Sequence, residues 1–344
     1  TTPNSLLGWE KSTQTDVGAD FGFFGNSLLF TADYFYKYTS GMLMEMPVPS
    51  YLGESKPIGN VGTMSNSGVE LDLSYRYSIG DFNMTVGVNA SHIKTTLIDA
   101  GNEAGERFEG SMHMMGSVSR GANGLVYPHF YGYETAGIFQ NWDEVNSYVG
   151  PEGKLIQPDA KPGDLRFVDQ NGDGVVNSDD QIFLSKGGWY GNPLTMGLNL
   201  TLKYKSFTLF ALATAGTGAY GLKNSSYYWI DDQDKYSAVV RDRWTPETAA
   251  TATYPRLTVT EGANNFVTSD FWMYSTKRLD LAKVQLTYDL PSAVLANNKV
   301  IKGFSAYLSG SNLLTVSPER KHMEMNVGSA PQTRFYNLGV KLVF

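Results

Sequence analysis

Alternation with a period of two residues recurs along the whole chain, and it constrains the fold more than any other feature. Val69, Leu71, Leu73, Tyr75, Tyr77 and Ile79 share one face, against Glu70, Asp72, Ser74, Arg76 and Ser78 on the other. Successive side chains of a strand point to opposite sides, so this pattern makes a strand with one apolar face. Phe82 to Ala90, Leu194 to Tyr204 and Tyr336 to Phe344 repeat it. The runs are about 10 to 14 residues long, whereas ordinary strands average about 5 to 6 and a tilted membrane strand needs about 9 to 11. Aromatics cluster near strand ends (Tyr34, Tyr36 and Tyr38; Tyr75 and Tyr77), where interfacial girdles sit. The alternative for this pattern alone is a large soluble β-sandwich or solenoid.

Nine strands are predicted: 12–24, 28–39, 68–79, 82–95, 194–204, 207–214, 277–289, 304–313 and 333–344. Their connections alternate between tight turns, such as Gly80-Asp81, and long excursions. Short turns on one side and long loops on the other are the outer-membrane barrel arrangement. The first strand then runs towards the periplasm, and residues 96–193 form one long external excursion. Bacterial barrels have even strand counts and no open edges. The expectation is therefore the C-terminal portion of a larger barrel, consistent with a start at Thr1 without initiator Met or signal peptide.

Composition narrows the chemistry. Charged residues make up 18%, Gly numbers 36, and no apolar run is long enough for a transmembrane helix. Zero Cys removes disulfides, zinc–thiolate sites, iron–sulfur clusters and cysteine nucleophiles. A net charge of -7 argues against nucleic acid as a partner.

Several segments resemble the SusC-like TonB-dependent transporters of the Bacteroidota outer membrane. They are Trp9-Glu10-Lys11-Ser12-Thr13-Gln14-Thr15-Asp16, Asp33-Tyr34-Phe35-Tyr36, Asn66-Ser67-Gly68-Val69-Glu70-Leu71, Phe130-Tyr131-Gly132-Tyr133 and Gly137-Ile138-Phe139-Gln140-Asn141. Pro162-Gly163-Asp164-Leu165-Arg166-Phe167, Arg243-Trp244-Thr245-Pro246 and Ser311-Asn312-Leu313-Leu314-Thr315 complete the set, in family order. The resemblance implies an all-β, transmembrane antiparallel barrel portion, about nine strands of an expected 22, with long extracellular loops. It covers roughly the last third of such a protein; the family's plug and TonB box lie upstream. It further implies a SusD-like surface lipoprotein as lid, TonB coupling, contact with lipid and lipopolysaccharide, and a possible dimer of transporter pairs. The implied function is import of a large nutrient, an oligosaccharide or other glycan. The alternatives are an oligopeptide importer of the same family, or a passive porin or secretion-system barrel. No enzymatic activity is expected.

The sharpest local motif is Asp169 to Asp180. Asp169, Asn171 and Asp173 supply oxygens at positions 1, 3 and 5 of a calcium loop, with Gly174 at the sharp turn. The Val175 carbonyl, Asn177 and Asp180 would be positions 7, 9 and 12. Asp180 stands where Glu is usual and has shorter reach. The competing reading is an Asp/Asn/Gly-rich turn needing no Ca²⁺.

Other motifs carry less. Gly216-Thr217-Gly218-Ala219-Tyr220-Gly221 fits a dinucleotide fingerprint, but Asn224-Ser225-Ser226 follows where a helix is required. His92, His113, His129 and His322 form no metal-spaced pair. Asp231, Asp232 and Asp234 read as solvated surface. Trp189, Tyr190, Tyr227, Tyr228, Trp229 and Trp244 fall in predicted external loops, either as stacking platforms for sugar rings and partners or as loop packing. Phe344 ends the last strand, as the assembly signal of outer-membrane barrels does.

Overall fold

The computed structural model describes residues 5–46, 56–108, 119–184, 193–223, 227–230, 237–258, 264–296, 300–320 and 333–344. In chain order, β1 (Lys11–Phe23), β2 (Leu28–Glu45), β3 (Ile58–Ile79) and β4 (Phe82–Asp99) come first. Short strands follow: β5 (Glu106–Phe108), β6 (Ser119–Ala122), β7 (His129–Gly132), β8 (Thr135–Ile138), β9 (Leu165–Phe167) and β10 (Ile182–Phe183), with helix α1 (Trp142–Ser147) between β8 and β9. Then come β11 (Leu194–Tyr204), β12 (Phe207–Thr217), β13 (Tyr220–Leu222), β14 (Met273–Ser275), β15 (Arg278–Asp289), helix α2 (Ser292–Leu295), β16 (Gly303–Val316) and β17 (Phe335–Val343).

Two compact units result. The first comprises residues 1–105, 191–218 and 275–344; the second comprises 106–190 and 219–274. The first unit is one antiparallel sheet of order β1-β2-β3-β4-β11-β12-β15-β16-β17. Its nine strands are those read from the alternation. β2 and β3 are longer than predicted, at 18 and 22 residues.

Register turns nine amphipathic strands into one amphipathic sheet, because directly paired residues of antiparallel strands lie on the same face. Phe23, Leu28, Tyr75, Val86, Leu200, Ala211, Val284, Gly310 and Tyr336 form one continuous row across all nine strands. Tyr77, Met84, Leu202, Leu209, Leu286, Leu308 and Leu338 form another. The opposite face reads Asp20, Thr31, Asp72, Asn89, Gly197, Thr214, Asp280 and Thr315 in a single row. The apolar face is exposed, with Leu71 at 40%, Leu198 at 42% and Leu338 at 81%. β11 has eleven residues. At about 3.3 Å each and a tilt of about 40° they span roughly 25 Å, the height of a barrel's apolar band.

The turns hold this register. Gly80-Asp81 and Lys205-Ser206 are two-residue connections, with Gly80 at φ 55° and Lys205 at φ 51°. Positive φ at the first central residue matches the twist of the flanking strands. These turns, the Phe24–Ser27 turn and the α2 connection all lie at one end of the strands. The second unit's two segments leave and rejoin the sheet at the other end, between β4 and β11 and between β12 and β15.

The second unit has its own core. β10, β7, β6 and β5 form a four-stranded sheet, and β8–β9 and β13–β14 form two ribbons. Leu165, Phe167, Ile230, Val240, Tyr254 and Trp272 pack together, joining both segments. Alternation could not reveal these strands, since most are too short to show a period.

The face assignment predicts a contrast between sequence neighbours. In the full-length protein refolded into vesicles, Leu198→Arg should cost about 2–4 kcal/mol and Asn199→Arg much less, measured by denaturant titration.

Candidate functional site

The calcium-loop segment follows β9 and folds on its own polar groups. Asp169 accepts the Gly172 N–H through Oδ1 and the Gly174 N–H through Oδ2, each at 2.8 Å. Asn171 Oδ1 accepts the Asp173 N–H at 2.8 Å, and Asp173 Oδ1 accepts the Val175 N–H at 2.9 Å. Gly172 and Gly174 turn the chain at φ 74° and 86°, a region that side chains disfavour. Asn177 caps the short 3₁₀ turn Ser178–Asp180, its Oδ1 accepting the Asp179 N–H at 2.7 Å.

Asp180 organises the loop from beneath. It is fully buried; Oδ1 accepts the Gln170 N–H at 2.9 Å and Oδ2 the Asn177 N–H at 2.7 Å. Among the described residues, no three His, Cys, Asp or Glu side chains converge as a metal-holding group. Asp169, Asn171, Asp173 and the Val175 carbonyl remain as exposed or half-exposed oxygens around the turn.

Beside the loop, the Tyr148 hydroxyl donates to the Phe167 carbonyl at 2.5 Å. Burial pushes the Tyr148 phenol above its ordinary value of 10.0; a hydrogen bond to the Asp169 backbone opposes this and the Asp169 charge adds to it.

The other polar centre of this unit is a buried knot. Asp164 is fully buried; its Oδ1 accepts from Arg256 Nε at 2.5 Å and from Asn265 Nδ2 at 2.9 Å. Asp164 Oδ2 accepts from Arg256 Nη2 at 3.2 Å and from the Lys161 N–H at 2.9 Å. Asn265 Oδ1 accepts the Leu165 N–H at 2.8 Å, and its carbonyl accepts the Trp272 indole N–H at 2.9 Å. Gly163, at φ 92°, brings backbone against Trp244: a Cβ there would lie 2.5 Å from the indole. Two separate sequence motifs, 162–167 and 243–246, are thus one packing arrangement.

Tyr228 is buried and meets Tyr227 edge-on. Trp229 packs against Phe266 and Trp272, and Trp244 against Gly163. Loop packing therefore describes these aromatics, with Tyr227 the most exposed at 39%. After Gly218 the chain enters β13, where the Gly221 Cα faces the Tyr274 ring, so the glycine fingerprint opens no helix. His129 Nε2 lies 2.8 Å from the Leu184 carbonyl, and His92 stands on β4. His113, His322, Trp189, Tyr190, Asp231, Asp232 and Asp234 lie outside the described residues.

A family model described as "TonB dependent receptor-like, beta-barrel" matches residues 1–159. The TonB-dependent receptors P26 and P3 of Formosa agariphila are 26% and 27% identical, over 99% of this chain and 35% of each of theirs. The TonB-dependent receptor SusC of Bacteroides thetaiotaomicron is 27% identical over 65% of this chain and 20% of its own. The solved structure titled as the RagAB peptide transporter superimposes with a TM-score of 0.76 at 23% identity, over 99% of this chain and 36% of that one. The chain thus spans about a third of the length of P26, P3 and the RagAB chain, and the part it matches is the C-terminal barrel portion.

Two predictions follow from the geometry. Arg256→Met strands a buried carboxylate and should cost the second unit about 3–5 kcal/mol, read as a lower melting temperature and faster proteolysis within residues 106–190 and 219–274. The raised Tyr148 value means the unfolded phenol ionises first as pH rises. That contribution to stability is complete below pH about 10 and is lost as pH climbs through the folded value. In Tyr148→Phe this alkaline loss should shrink, at a cost of about 1 kcal/mol at neutral pH; pH-dependent melting checks both.

Proposed function

We propose that this chain is the C-terminal barrel portion of a SusC-like TonB-dependent receptor and forms the wall of an outer-membrane importer of an oligomeric nutrient. One observation carries the reading: nine strands in register present an unbroken apolar face with a polar face behind it. Such a sheet suits a surface between lipid and a hydrated lumen, and within lipid its β1 and β17 edges call for further strands. The short-turn end would face the periplasm and the second unit the medium.

On this reading a surface lipoprotein closes over the second unit, and TonB acts through a plug upstream of this portion. The resemblance to SusC-like transporters implies an oligosaccharide as cargo. The oligopeptide reading is favoured by one finding, the likeness in fold to a structure titled as a peptide transporter. Tyr228 is buried and Trp229 and Trp244 are half-buried in loop packing, which also leaves less aromatic surface for sugar rings to stack on.

Calcium is proposed for the loop from Asp169 to Asp180. Asp169, Asn171 and Asp173 each give lone pairs to backbone N–H groups and retain others for an ion, with the Val175 carbonyl and Asn177 completing an oxygen set. Asp180 would hold the loop's shape, since both its oxygens already serve the backbone. A bound ion would add a rigid cross-link within the second unit.

Purification of the full-length protein from outer membranes should recover a chain near 100 kDa, about three times this portion, together with a lipoprotein. Uptake of labelled oligosaccharides and oligopeptides by cells with and without the gene then separates the two cargo classes. Loss of neither uptake, with no lipoprotein recovered, would contradict an importer. Calcium titration of the same preparation should raise its melting temperature, and Asp169→Asn with Asp173→Asn should abolish the rise.

A further inference from the structure

Charge on the apolar face is distributed by sign and by height. Between the short turns and the row of Thr13, Tyr38, Ser65 and Thr96, that face bears no Asp or Glu on any strand. All acids of the sheet over this span, including Asp20, Asp33, Glu70, Asp72 and Asp280, project to the other face. The apolar face does carry His92 and Lys94, both on β4 at the end away from the short turns. Lys11, the remaining cation of that face, stands at the same end of β1.

The register fixes their neighbours. His92 shares a row with Val17, Tyr34, Val69 and Leu194, where the continuous apolar band ends. Lys94 lies one row beyond, with Thr15, Tyr36 and Ser67. Side chains two apart on a strand stand about 7 Å from each other, and directly opposed Cβ atoms about 5 Å. His92 and Lys94 are exposed, and neither side chain has an ion-pair or hydrogen-bond partner among the described residues. Tyr34 and Tyr36 are also exposed, at 49% and 38%.

We propose that Lys94 and His92, with the hydroxyls of Tyr36 and Ser67, form a binding site for the phosphate of a lipid headgroup at the outer end of the apolar face. The site rests on the reading that this face meets lipid. Its height then puts an ammonium and an imidazole at the interface, directly above a surface that holds acyl chains. A phosphate offers acceptors to N–H and O–H donors, and charge-assisted hydrogen bonds of this kind are the stronger ones. At the other end of the face, around Tyr77, Phe82, Tyr204 and Phe207, no strand residue of that face is a cation, while the Lys205 ammonium of the adjoining turn lies 5.4 Å from the Tyr204 ring centroid. The site of Lys94 and His92 lies in one leaflet, the outer one in the proposed orientation.

The test uses the full-length protein in detergent, offered phosphatidic acid and the diacylglycerol of the same acyl chains, with retained lipid counted by native mass spectrometry. The wild type should retain phosphatidic acid at least about tenfold over diacylglycerol, and Lys94→Arg should keep that preference. Lys94→Gln with His92→Asn should reduce it at least about fivefold. Equal retention of both lipids by the wild type overturns the site whether or not the variants fold. So does an unchanged preference in the double variant. A bromo-acyl lipid that fails to quench a fluorophore at Val88→Cys sinks the membrane reading itself. Quenching there without any phosphate preference sinks the site alone.

Discussion

Strand register is the constraint on which the rest of this structure depends. Each strand is amphipathic by itself, but a slip of one residue would move its whole apolar set to the other face. β15 shows how narrowly this is managed. Strict alternation from Leu279 and Leu281 would place Lys283 and Gln285 on the apolar face. The register instead shifts at Ala282 against both neighbours, so that Val284, Leu286 and Tyr288 resume the apolar row and Lys283 turns to the polar side. β16 meets the extra residue with two of its own, Asn312 and Leu313, and Asn312 adopts φ 56° there. A bulge of this kind re-aims side chains at the cost of one ladder position.

The second unit is held by different physics. It has an ordinary buried core and, within it, an ion pair that binds three stretches of chain through Asp164, Arg256 and Asn265. A buried pair of this type adds little net stability over apolar packing but is costly to break. It also makes geometry specific, since the Asp164 carboxylate accepts from four donors at once. The loop from Asp169 to Asp180 hangs from that framework through β9.

The sheet was legible because its signal is long. Eleven or more residues of alternation outlast local noise, and Leu194–Tyr204 is found with the same bounds that alternation predicts. The extensions of β2 to Glu45 and β3 back to Ile58 were missed, as Gly41, Gly59 and Gly62 interrupt the pattern there. In the second unit, strands of two to four residues leave no period to read, and its core joins residues about a hundred positions apart. The aromatic run Tyr227-Tyr228-Trp229 illustrates the limit: composition marks it as notable, but only packing against Phe266 and Trp272 assigns it to a core. The motif 162–167 was visible as a resemblance, whereas its reason, a carboxylate buried against Arg256, needed coordinates.

Spin labels placed singly at positions 279 to 288 of the full-length protein in lipid vesicles test the central claim most directly. Oxygen accessibility should peak at 279, 281, 284, 286 and 288, with the change of phase at Ala282. Accessibility to a water-soluble relaxant should peak at 280, 283, 285 and 287. A single unbroken period through 282, or accessibility without any period, would contradict a sheet whose register separates lipid from lumen.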